Sequence, residues 1–87
     1  MKIELVKTPG CAECAKVKRM IDQDIKPQFP SLEVVEIDAL SSAGQELVAK
    51  HGIMASPGVL VNGELFSIGG ADKAKLIEKL KTLNPTP

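Results

Sequence analysis

Apolar and charged residues alternate from Lys2 to Lys7, with Ile3, Leu5 and Val6 apolar, before Thr8-Pro9-Gly10 breaks the run. Alternation ending on a breaker predicts a short β-strand. From Cys11 to Ile25 the period changes. Val17, Met20, Ile21 and Ile25 fall on one stripe, which predicts an amphipathic helix stopped by Pro27 and Pro30. Leu32 to Asp38 reads as a second strand carrying Val34, Val35 and Ile37. Ser41 and Ser42 offer caps for a second helix with Glu46 in its first turns. Leu47 and Val48 are its apolar positions, and Gly52 after His51 is a good stop. Gly58–Val61 and Glu64–Ile68 are two more strands, joined by Asn62-Gly63, the strongest short-range hairpin signal. Gly69-Gly70 breaks the chain again. Ala71 to Leu83 then predicts a last helix with Leu76, Ile77, Leu80 and Leu83 on one side, and residues 83–87 a frayed tail.

The predicted order is βαβαββα, an α/β fold with a four-stranded mixed sheet and three helices. The first βαβ unit implies parallel, right-handed pairing of its strands. The hairpin must add antiparallel strands to the same sheet, with helices over both faces. The 87 residues make one domain, 1–87, with no repeat or linker.

Composition narrows the function. The 11 basic and 11 acidic side chains balance without a block of one sign. Phe29 and Phe66 are the only aromatic residues, so nothing suggests a nucleic-acid partner. The N-terminus, MKIELVKTPG, has no apolar run of signal-peptide or membrane-span length. A cytoplasmic monomer with no membrane or nucleic-acid partner is expected, in a compartment where thiols stay mostly reduced. Two cysteines are too few for a stabilising disulfide scaffold.

Those cysteines, Cys11 and Cys14, stand three apart at the start of the first predicted helix. Residues three apart on a helix share a side, with Cβ atoms roughly 5–6 Å apart, near disulfide reach. The helix N-terminus offers free N–H groups and about half a positive charge, both of which favour a thiolate. A thiolate is the species that attacks a disulfide. Cys11 at the tip is placed to meet a substrate, and Cys14, one turn in, to resolve the mixed disulfide. Lys7, Lys16 and Lys18 add mild positive potential or are simply solvated lysines. The rival chemistry is metal. A structural zinc site needs four ligands, and after the cysteines only His51 remains, better read as a surface residue ending a helix. A metal or cluster shared between two chains stays open. A copper-chaperone reading lacks the Met two residues before Cys11 and has a different strand order.

With Cys11-Ala12-Glu13-Cys14 following a strand in a βαβ pattern, the sequence resembles the thioredoxin/glutaredoxin superfamily. The stretch from His51 to Glu64, with Ser56-Pro57-Gly58 ahead of the hairpin, looks like the segment that carries that family's cis-proline. The chain is similar to small archaeal and bacterial thioredoxin-like proteins, including those called redox-active disulfide protein 2. The resemblance implies a minimal thioredoxin-like fold and thiol–disulfide exchange with disulfide-bonded proteins. It implies that Pro57 faces the cysteines and that Ser56 pairs its backbone with substrate. It also implies no cofactor beyond a redox-active Cys11–Cys14 disulfide, recycled by a flavoenzyme of the thioredoxin-reductase type. In cysteines of this kind, thioredoxin's own among them, thiol pKa values fall to roughly 3.5–7.5.

Four residues, in three places, depart from thioredoxin. Gly10 replaces a Trp, Ala12-Glu13 replaces Gly-Pro, and Leu5 replaces the buried acid six residues before the nucleophile. Proton transfer to Cys14 must then use water or another group. Gly69-Gly70-Ala71-Asp72 resembles the glutaredoxin segment in which an acid binds the glutathione amino group, although Lys73 replaces a second acid. The Thr-Val-Pro of glutaredoxins is Ala55-Ser56-Pro57 here, and their Tyr between the cysteines is missing. Asp72 reads equally as an acid at a helix start, worth about 0.3–1 kcal/mol. Glutathione-dependent exchange and a non-catalytic scaffold or cluster carrier are therefore the alternatives to protein-disulfide reduction.

Overall fold

The computed structural model describes residues 1–83. Strand β1 (Lys2–Lys7) leads through the Thr8–Gly10 turn into helix α1 (Ala12–Met20). The helix continues as a wide π turn (Ile21–Ile25) and a 3-10 turn (Lys26–Gln28) before β2 (Glu33–Asp38). Helix α2 (Ser42–His51), strands β3 (Gly58–Val61) and β4 (Glu64–Ile68), and helix α3 (Lys73–Leu83) complete the order. The four strands form one mixed sheet, β2-β1-β3-β4, with β1 and β2 parallel and the other pairings antiparallel. This is the predicted α/β architecture.

The end of α1 differs from the sequence expectation. Val17, Ile21, Ile25 and Phe29 are all buried and stand four residues apart. An α-helix turns 100° per residue, so every four-residue step drifts about 40° round its axis. A wide π turn absorbs that drift and keeps Ile21, Ile25 and Phe29 against the sheet. Pro27 sits inside the 3-10 turn instead of ending the helix before it. Cys11 is the residue capping α1, not its first helical residue, and α3 starts at Lys73 rather than Ala71. Leu83 belongs to α3, and the rest of the predicted tail, 84–87, lies outside the described residues.

The sheet faces are covered unequally. Ile3, Leu5, Val59 and Val61 pack with Val17, Ile21, Leu76 and Leu80 in the larger core, between the sheet and helices α1 and α3. On the other face Val6, Leu60, Ala39 and Ile53 form a smaller cluster under α2, joined by Leu47 and Val48. Burial at about 25 cal/mol per Å² makes the first cluster the dominant hydrophobic contribution. The corner between β2 and α2 is tightly held. Asp38 accepts from the Leu40 N–H at 2.9 Å, and Ser41 accepts from the Gly44 N–H at 3.0 Å. His51 ends α2 as expected but is half-buried, and its Nε2 is buried without a hydrogen-bond partner among the described residues.

Candidate active site

The C-terminal ends of β1 and β2 and the start of β3 bring four of the predicted site residues together, Cys11, Cys14, Ser56 and Pro57. β1 releases the chain at Lys7, and Gly10, at φ +69°, turns it back so that Cys11 caps α1. A residue with a Cβ would be strained in that left-handed conformation. Cys11 is extended, at φ −87° and ψ 109°, and its sulfur accepts the Cys14 N–H at 3.0 Å. It occupies the position where Ser or Asp normally caps a helix. Cys14 lies one turn inside, with a Cα–Cα distance of 5.2 Å, and the two form a disulfide. Their exposure differs: Cys11 is half-buried and Cys14 only 4% exposed.

A second donor approaches from the loop between α2 and β3. Ser56 donates its hydroxyl to the Cys11 sulfur at 3.4 Å and shares a 2.8 Å hydrogen bond with Thr8 Oγ1. The Ser56–Pro57 peptide bond is cis, and Pro57 is fully buried. The Pro57 carbonyl accepts from the Gly69 N–H at 2.8 Å, tying this loop to the end of β4. Met54, two residues before Ser56, is 93% exposed. Gly70 lies close to Glu13 in the first turn of α1. The Cys11 sulfur thus sits between the loops carrying Gly10 and Ser56, with two donors aimed at it. A sulfur placed so is stabilised as an anion.

Asp72 is apart from this cluster in its bonding. Its Oδ1 accepts the Lys75 N–H at 3.0 Å, which caps α3. The lysines near the cysteines are engaged: Lys7 with Glu36 at 3.0 Å, Lys16 with Glu13 at 3.3 Å, and Lys18 with Asp22. The bond to Asp22 is the main reason that Lys18 titrates above the ordinary lysine range, against an opposing effect of burial. Sequence reasoning missed the Ser56–Thr8 pair, because it joins side chains 48 residues apart in sequence. Among the described residues no group of three or more His, Cys, Asp or Glu side chains is arranged to hold a metal ion, and no helix is long and apolar enough to cross a membrane.

Comparison with known proteins now decides the family. The model for the thioredoxin domain matches residues 1–82. This chain belongs to the thioredoxin family. A thioredoxin of Methanocaldococcus jannaschii is 31% identical over 81 residues, covering 93% of each chain. A probable thioredoxin of Methanothermobacter marburgensis is 26% identical over 80 residues, covering 92% of each. Among solved structures, Chlamydomonas reinhardtii thioredoxin f2 superposes with a TM-score of 0.68 at 17% identity, over 99% of this chain and 81% of that one. Arabidopsis thaliana thioredoxin O2, in its oxidized state, gives 0.64 at 15% identity, over 98% and 75%. At such identities the structural likeness bears on the thioredoxin fold alone. Family membership and the Cys11–Cys14 pair together support thiol–disulfide oxidoreductase chemistry, and the thioredoxin family implies disulfide-bonded proteins as substrates.

Proposed function

We propose that this thioredoxin-family protein reduces disulfides in other proteins by dithiol exchange, with Cys11 attacking and Cys14 resolving. The observation that carries the reading is the inequality of the two sulfurs. Cys11 caps α1 with donors from Cys14 and Ser56 on its sulfur, whereas Cys14 is 4% exposed behind it. In the reduced protein the same donors stabilise the Cys11 thiolate, which attacks a substrate sulfur and forms a mixed disulfide. Cys14 then attacks Cys11, and the substrate leaves reduced. Ser56 and Pro57 form the platform that orients the substrate chain beside Cys11. The redox centre is the Cys11–Cys14 disulfide itself, with no organic cofactor, and a flavoenzyme of the thioredoxin-reductase type returns it to the dithiol. The protein acts as a cytoplasmic monomer in this reading. Glutathione is a poor partner, because the carboxylate that would bind it, Asp72, is engaged in capping α3.

Mass spectrometry after mixing with a disulfide-bonded protein tests the roles. Cys14→Ser should accumulate a stable mixed disulfide, Cys11→Ser should barely react, and the unaltered protein should turn over. The converse pattern reverses the roles. No adduct with either variant, and no reduction by the unaltered protein, would overturn the oxidoreductase reading in favour of a scaffold or carrier.

A further inference from the structure

Cys14 presents a chemical problem that the exchange reaction must solve. It attacks as a thiolate, yet it is 4% exposed, and Leu5, on the sheet face that carries α1, is fully buried and apolar. Its proton needs a way out and an acceptor. A groove between α1 and the ends of β1 and β2 supplies the way out. Both cysteines open onto it. The charged groups lining it are Lys7 from β1, Lys18 and Arg19 from α1, Asp22 from the π turn, and Glu36 and Asp38 from β2. Three cations face three anions, so the groove has no net charge with which to hold a charged ligand; what it offers is two solvent-facing ion pairs, Lys7–Glu36 and Lys18–Asp22.

The three carboxylates are not equivalent. Asp38 Oδ1 is taken by the Leu40 N–H, holding the turn before α2. Asp22 is bonded to Lys18 and lies eight residues beyond Cys14, roughly 12 Å along the helix. Glu36 lies opposite Leu5 in the β1–β2 register and so on the sheet face that carries α1. It also acts electrostatically on Lys18, one turn beyond Cys14 and on the same side of α1. Its partner Lys7, at 3.0 Å, is the last residue of β1 before the turn that carries Cys11.

We propose that Glu36, held by Lys7, accepts the proton of Cys14 through water in this groove during the resolving step. The proposal rests on the dithiol reading above. The Cys14 S–H proton passes by water to the Glu36 carboxylate. The Cys14 sulfur then attacks Cys11, the bond between Cys11 and the substrate sulfur breaks, and its electron pair leaves on the substrate thiolate, which takes a proton from solvent. Glu36 returns its proton to solvent. The protein dithiol is oxidised and the substrate disulfide is reduced, so nothing further is consumed.

Stopped-flow reaction of the reduced protein with an equimolar amount of dithiobis(nitrobenzoate) separates the steps. The first thionitrobenzoate released reports attack by Cys11, and the second reports resolution by Cys14. A positioned base is typically worth about 10²–10⁴-fold, and an exposed one working through water sits at or below the low end. Glu36→Gln, which can still accept a hydrogen bond from Lys7, should leave the first release unchanged. It should slow the second about tenfold near neutral pH and steepen its dependence on pH as hydroxide takes over. Glu36→Asp should recover part of the rate, and Lys7→Met, which keeps the carboxylate, should slow it less than Glu36→Gln. A second release with unchanged rate and pH profile in Glu36→Gln overturns the proposal. Failure of Cys14→Ser to form the thionitrobenzoate adduct at Cys11 would instead overturn the dithiol reading, so the two failures are distinguishable.

Discussion

The two ends of the sheet are built on different rules. At the end far from the cysteines, β3 turns into β4 through Asn62 and Gly63, at φ 50° and 82°. Positive φ at both central residues is the turn whose twist matches the strands, and Asn-Gly is its preferred sequence. The same turn is tied to β1. Lys2 donates to Asn62 Oδ1 at 2.9 Å and accepts from the Asn62 N–H at 2.8 Å. At the other end no preferred turn sequence closes the connections; they are held by contacts between separate loops, the Ser56–Thr8 hydrogen bond and the bond from Gly69 to Pro57. That end also leaves Met54 and Leu40 in solvent, 93% and 67% exposed. One end satisfies local preference and asks for no partner. The other departs from it, and departures of this kind concentrate where a protein acts.

If that contrast is right, substitutions at the far end should change stability alone, and those at the cysteine end should separate packing from exchange. The largest stability effect is expected at Gly44, where α2 crosses the end of β2. A Cβ there would overlap the Asp38 carbonyl oxygen and lie 2.7 Å from the Ala39 Cα. Both are backbone atoms and cannot turn aside. Gly44→Ala should cost about 3 kcal/mol or more, at or beyond the upper end for overpacking, read as a lower urea midpoint at unchanged slope. An unchanged midpoint would mean that α2 is free to lift off the corner.

Next comes the far end itself. Gly63→Ala puts a Cβ into a left-handed conformation at φ +82°, which costs about 1–2 kcal/mol. Thiol exchange measured on the still-folded variant should match the unaltered protein. A slower exchange would break the contrast, because the far end would then be coupled to the cysteines.

The same contrast explains what the sequence made legible. The bounds of β3 and β4 were readable to the residue, since a short apolar run ending at the Asn62-Gly63 signal is a local feature. Cys11 and Cys14 were readable from their spacing after a strand. The π turn at Ile21–Ile25 was not, because it answers to the burial of Ile25 and Phe29 against the sheet, a tertiary demand that overrides the helical period. Nor could the pairing of Lys7 with Glu36 be read, since the residues are 29 apart and meet only once β1 and β2 pair.

Asp72 sharpens the contrast from inside the cysteine end. Its carboxylate caps α3 through Lys75, so Asp72→Ala should cost about 1 kcal/mol. Exchange with protein disulfides should be intact, and so should the Michaelis constant for a glutathionylated substrate. A large rise in that constant would assign Asp72 to glutathione and move the glutaredoxin-like reading to the front.

The smallest effect is expected at Lys18 and Asp22, a pair one turn apart on the wall of the groove. Its bond to Asp22, chiefly, raises the Lys18 pKa above the ordinary 10.5, while burial opposes the shift. A lysine whose folded pKa exceeds its unfolded one contributes all of its stabilisation below the unfolded value and loses it as pH rises through the folded one. The pair should therefore act at full strength at neutral pH and fade above about 10.5. Its side chains are 31% and 44% exposed, so solvent and salt screen it, and helical pairs of this spacing are worth only about 0.3–0.5 kcal/mol. Asp22→Asn should lower Tm by about 1–4 °C at pH 7 in low salt, given about 4–8 °C per kcal/mol for a domain of this size. The difference should shrink both in high salt and above the lysine pKa. A Tm difference that persists unchanged at alkaline pH would mean that Asp22 holds the π turn by packing or backbone contacts, and not through the charge of Lys18.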